Sequence, residues 1–107
     1  MTNISNSGIS NKQQMAQQRL VQTIQSWHEP AMETLNSYLN VRRANLRKIN
    51  RDEANAAVTR DELVEALHQC HRMSYCDAGL VITSLLRADR IIMFGRFIQV
   101  KDQGGDA

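Results

Sequence analysis

His68, Cys70, His71 and Cys76 are the densest cluster of metal-capable and nucleophilic side chains in the sequence. Zinc requires thiolates and imidazoles that converge on a tetrahedron. A helix through this segment puts His68 and His71 on one face but turns Cys70 away, and no Cys-x-x-Cys pair is present. Buried cysteines beside surface or turn histidines are the simpler reading, so no metal is expected. Cys76 would sit in the first turn of a helix, where the dipole depresses a thiol pKa. Nucleophilic catalysis also needs a base held against that thiol in a water-poor pocket. A core cysteine is the better account. Asp61 and Glu62 are adjacent carboxylates that point apart on a helix. Gly79 stands alone, and Gly104-Gly105 lies in the tail, so no phosphate-cradling loop exists. No nucleophile, base and orienting group can be assembled, and neither an enzyme nor a cofactor is expected.

The remaining polar chemistry is charge. The chain has 107 residues and a formal net charge of only +2, but its charges are segregated. Arg42, Arg43, Arg47, Lys48 and Arg51 crowd one segment that contains the single anion Glu33. From Asp52 to Gly79 the sign inverts, with Asp52, Glu53, Asp61, Glu62, Glu65 and Asp77 against Arg60 and Arg72. After Leu80 the balance turns basic again through Arg87, Arg90, Arg96 and Lys101. A near-neutral chain can thus present a basic face.

These side chains depend on a small set of elements. The length fits one domain with an appended helical arm. Residues 1–10 are polar and rich in Asn and Ser, and are expected to be disordered, as is the tail 102–107. A helix over 11–29 carries Met15, Leu20, Val21, Ile24 and Trp27 on one side. Pro30 places a boundary at Glu29 and opens a second helix to about Asn50, with Met32, Leu35, Leu39, Leu46 and Ile49 at helical spacing and Tyr38 adjacent. RDEANAAV reads as a linker or a frayed extension. Thr59-Arg60-Asp61-Glu62 is a capping box opening a helix that buries Leu63, Val64, Leu67 and Cys70. Ser74-Tyr75-Cys76-Asp77 is a weaker start of the same type. Its helix packs Ala78, Val81, Ile82 and Leu85, with Gly79 permitting close packing. IIMFGRFIQV around Gly95 is a hairpin signature, with strands near Arg90–Met93 and Arg96–Lys101.

Helix Thr59–Arg72, a short turn, helix Ser74–Ala88 and hairpin Arg90–Lys101 follow one another in the order of a winged helix-turn-helix. The stretch SLLRADRIIMFGRFIQV is similar to that family's passage from recognition helix into wing. The expected fold is mainly α with a small β-hairpin: a winged helix domain over 30–101 and an extra N-terminal amphipathic helix. The resemblance implies that the second helix of the pair enters the DNA major groove and that the wing touches phosphates or the minor groove. The implied helix contacts are Ser74, Tyr75, Asp77, Gly79, Thr83 and Arg87, and the wing contacts are Arg90, Arg96 and Lys101.

The sequence departs from that pattern where it matters most. Between Ser74 and Leu86 there is no Lys or Arg, and Asp77 near the leading end would repel phosphate unless it caps the helix. DNA affinity must then come from Arg42, Arg43, Arg47, Lys48 and the wing, with Arg96 the foremost contact. Leu20, Val21, Ile24 and Trp27 are left over once the winged helix is built, and would form a homodimer interface. The expected protein is a small DNA-binding transcriptional regulator of phage or plasmid type. The alternative is a winged helix adaptor that holds a protein partner without reading DNA. No apolar run is long enough to span a bilayer, and no secretory signal or lipidation motif is evident, so a cytoplasmic location is expected.

Overall fold

A computed structural model describes residues 11–101; the segments 1–10 and 102–107, expected above to be disordered, lie outside the described residues. The first helix, α1 (Asn11–Ser26), leaves its Gln-rich side to solvent and buries Ile24. It stops at Trp27, and α2 (His28–Lys48) begins at once. The chain barely interrupts its helical path there: the Trp27 amide donates to Ile24 (3.0 Å) and the Ala31 amide to Trp27 (2.9 Å). The boundary therefore falls two residues before Glu29. Pro30 is absorbed inside the first turn of α2, where its missing N–H costs no intrahelical bond.

Ala31, Met32, Leu35 and Leu39 of α2 are buried, whereas Leu46 is half-buried and Ile49 exposed. The apolar stripe is continuous in sequence, but the helix overruns the core. Asn50 closes α2 in the left-handed region (φ 58°), and the Arg51 amide returns to the Leu46 carbonyl at 2.8 Å, a Schellman-like ending.

The expected linker is more structured than RDEANAAV suggested. Asp52 caps a 3-10 turn over Glu53–Asn55, and Val58–Thr59 form a short strand, β1. The Gln99 side chain donates to the carbonyls of Ala54 (3.0 Å) and Ala56 (2.9 Å), fastening this segment to the sheet.

Thr59 then caps α3 (Arg60–His71), and the full capping box forms. Helix α3 buries Leu63, Ala66 and Leu67 and ends on Arg72 in the left-handed region. Ser74 caps α4 (Tyr75–Arg87), whose buried face is Ala78, Val81, Ile82 and Leu85. Two strands follow, β2 (Ile91–Phe94) and β3 (Phe97–Val100), antiparallel with Phe94 opposite Phe97. Gly95 takes φ +60° at the first position of the two-residue turn, a geometry glycine adopts without Cβ strain. The three-stranded antiparallel sheet has the order β1-β3-β2.

One core joins all these elements, with Leu35, Leu39, Leu63, Leu67, Ile82, Leu85, Ile91 and Ile98 fully buried at its centre. The protein is mainly helical with a small antiparallel sheet, and its order of elements is compatible with a winged helix shape. Among the described residues no helix is long and apolar enough to cross a membrane.

Candidate nucleic-acid interface

Four of the cations expected to meet DNA are tied within the chain. Arg42 donates to the Glu62 carboxylate and to the Ala57 carbonyl (3.0 Å), linking α2 to the start of α3. Arg47 pairs with Glu53 (3.0 Å), Arg90 with Glu29 (2.9 Å) and Lys101 with Asp89 (2.7 Å). Among the described residues Arg43 reaches only the Asn40 side chain (2.8 Å). Lys48, Arg51, Arg87 and Arg96 are exposed and make no ion pair among the described residues. Exposed ion pairs are worth little, about 0–1 kcal/mol, so the paired cations can still be recruited by phosphate, at the cost of stranding their carboxylates.

The second helix of the pair commits Ser74 and Tyr75, both expected to face DNA, to bonds within the chain. Ser74 spends its hydroxyl on the Asp77 amide (3.0 Å), while Asp77 makes no return bond among the described residues. Its capping role is thus not the reciprocal one expected, although a carboxylate in the first turn still suits the helix dipole. Tyr75 stacks on His68 (centroids 4.1 Å apart) and donates its hydroxyl to Glu65 (3.2 Å). Gly79 sits beside the Arg60 guanidinium: an added Cβ would lie 3.1 Å from Nη2. The close approach at this glycine is to a side chain, not to a neighbouring helix backbone.

Helix α1 packs along α4, and together Leu20, Val21, Ile24, Leu80, Thr83 and Arg87 line a cleft of about 420 Å³. Its floor is fixed by a 2.7 Å hydrogen bond between His28 Nε2 and Ser84 Oγ. Burial, and then the neighbouring Arg90, hold the His28 imidazole below its ordinary pKa, against an opposing pull from Glu29. The four residues expected at a dimer interface are accordingly split. Ile24 is buried and Trp27 half-buried, packed within this chain, where the Trp27 ring meets His71 at 5.5 Å. Leu20 and Val21 remain exposed.

The histidine and cysteine cluster disperses. His68 Nδ1 bonds the Met73 carbonyl (2.7 Å) and His71 Nε2 the Thr34 hydroxyl (2.8 Å). Cys70 and Cys76 are both exposed free thiols, not core residues. Cys70 has the helical phase of Leu63 and Leu67 but is exposed in the last turn of α3, while Met73 beyond it enters the core. Among the described residues no group of three metal-capable side chains converges.

The feature that spacing alone did not single out is an open groove of about 690 Å³. Leu46 and Ile49 from the overrunning end of α2 form one wall, residues 54–57 a second, and Phe94, Phe97 and Gln99 of the hairpin the third. Phe94 is 56% exposed and Phe97 45%. Arg96 rises from the turn between them, its guanidinium carbon 5.7 Å from the Phe97 ring centroid, and its carbonyl accepts the Arg60 amide (2.7 Å). A signal for this face existed: with period two, Phe97 shares its side of the strand with polar Gln99, which marks the side away from the core. Comparison with protein-family models, curated proteins and solved structures gives no match to this chain.

Proposed function

We propose that the chain is a winged helix protein that binds DNA through its wing and the basic end of α2, and serves as a small transcriptional regulator of phage or plasmid type. One observation supports this reading: the hairpin and the end of α2 form two walls of one groove, and the exposed cations Arg96, Lys48 and Arg51 lie one or two residues along the chain from its lining residues Phe97 and Ile49. All three are exposed and make no ion pair among the described residues; Arg96 lies far in sequence from Lys48 and Arg51. Helix α4 contributes no residue to the lining of this groove, and its Arg87 lies at the α1–α4 cleft instead. The reading therefore favours contact with phosphates over base readout in the major groove. Leu20 and Val21, exposed on α1, are the surface through which a homodimer would double those contacts.

Retention of a DNA duplex across a salt series tests the proposal. Log affinity should fall with log salt by about 0.9 for each phosphate contact, and Lys48→Ala, Arg51→Ala and Arg96→Ala should each flatten the slope by roughly that amount. Retention that is absent at low salt, or indifferent to salt and to these substitutions, would overturn it. A second reading has its own support: the groove walls are largely apolar, and Arg42, Arg47, Arg90 and Lys101 are occupied within the chain. On that reading the protein is a winged helix adaptor, and the triple substitution leaves its partner bound.

A further inference from the structure

We infer that the groove between the hairpin and the end of α2 accepts unpaired nucleobases, with Phe94 and Phe97 as the stacking surface. This rests on the DNA reading above and makes it more specific: the favoured ligand is DNA with a single-stranded stretch. Two phenylalanines paired across a hairpin, each about half exposed, are costly to leave in water. In the sheet register they share a face, and both line the groove. A base has an apolar π-face to lay on such a ring and a polar edge that must find partners. The groove offers both, because Asn45 and Asn55 bring carboxamides to the same walls.

Charge complementarity selects a nucleic acid over an apolar peptide. Arg42 lines the groove itself, and the exposed Arg96, Lys48 and Arg51 lie one or two residues along the chain from the lining residues Phe97 and Ile49. A strand whose bases enter the groove therefore keeps its phosphates near cations on both sides. The acids closest in sequence are already engaged: Glu53 pairs with Arg47, and Asp52 caps the 3-10 turn. The volume of about 690 Å³ lies within the range of sites that take small organic ligands. The platform is also held in place, since Gln99 on the same face is bonded to two carbonyls of the facing segment. An aromatic platform beside a basic groove is the physical requirement for sequence-tolerant single-strand binding.

Fluorescence anisotropy on the full chain, with dye-labelled oligothymidylate, oligouridylate of equal length and a DNA duplex, tests the inference. The single strands should bind more tightly than the duplex. Phe94→Ala and Phe97→Ala should each weaken single-strand binding on the order of 10-fold, the usual effect of losing one base–aromatic stack, and leave duplex binding unchanged. Phe97→Trp should retain binding, which separates loss of stacking from loss of fold. Duplex binding that exceeds single-strand binding and ignores both phenylalanines would overturn the inference and leave the DNA reading standing. Failure to bind any of the three would overturn both. A strong preference for uridylate would overturn DNA as the source of the bases.

Discussion

Replacing Glu62 with alanine should destabilise the fold by about 1–2 kcal/mol, a size that follows from two separate losses. One carboxylate oxygen accepts the Thr59 amide at 2.9 Å, completing the capping box with the Thr59 hydroxyl, which accepts the Glu62 amide at 3.1 Å. Stranding that half-buried amide costs about 1 kcal/mol. The other oxygen holds Arg42, but the two side chains are 38% and 39% exposed, so solvent screening limits this pair to a fraction of a kcal/mol. For a chain of this length the melting temperature should drop by roughly 4–8 °C per kcal/mol, read by circular dichroism. A double-mutant cycle with Arg42→Ala should return a coupling below about 1 kcal/mol. The effect should also depend on pH. The Thr59 amide first, and then Arg42, hold the Glu62 carboxyl below its ordinary value of 4.5. A depressed acid contributes stability that is complete above the unfolded-state pKa and is lost as pH falls through the folded one. The gap between wild type and Glu62→Gln should thus be full at neutral pH and narrow below pH 4.5. An equal gap at both ends of that range, or an unchanged melting temperature for Glu62→Ala, would refute the reasoning.

His28 works in the same direction, in a higher pH window. Its folded-state pKa lies below the ordinary 6.5, so stability should fall as pH drops below 6.5, and His28→Gln should flatten that part of the thermal-melt profile. Arg72 ends α3 with φ 58°, and Arg72→Gly should be neutral or stabilising by up to about 1 kcal/mol in urea unfolding, whereas Arg72→Val should be destabilising. Leu85→Ala at the fully buried centre of α4 should cost about 2–5 kcal/mol by the same assay. If α1 forms a homodimer, Leu20→Asp with Val21→Asp should halve the mass seen by light scattering without lowering the melting temperature of the monomer. An unchanged mass would remove α1 as the interface.

The elements whose boundaries were legible in the sequence are those with local causes. Thr59 and Ser74 announce their helices because a cap is a bond between residues three apart. Gly95 announces its turn because of a backbone angle at that residue. What was not legible depends on distant partners. A two-residue strand has no periodicity, and Val58–Thr59 is a strand only because Ile98 and Phe97 lie opposite. Cys70 and Ile49 continue apolar stripes correctly, yet both are exposed, because a stripe does not reveal where the core beneath it ends. The same limit hid the groove: Ile49 lines it together with the hairpin residues only because α2 overruns the core. The cations stand out in the sequence, but their ion pairs were not foreseen, since a pair such as Arg90–Glu29 joins residues 61 positions apart.

The pairing of β1 with β3 also bears on how the chain opens and closes. The α3–α4 pair and the hairpin are joined by short connections, but closing β1 onto β3 brings together residues about 40 positions apart and secures only two residue pairs. It is a long closure for little backbone bonding, with Gln99 as its side-chain latch. The segment 50–59 should therefore exchange its amides as a separate, weaker cooperative unit, opening and reclosing while Leu63, Leu67, Ile82 and Leu85 stay packed. Since that segment is also a wall of the groove, the groove would be the part of the molecule that fluctuates between formed and unformed on its own.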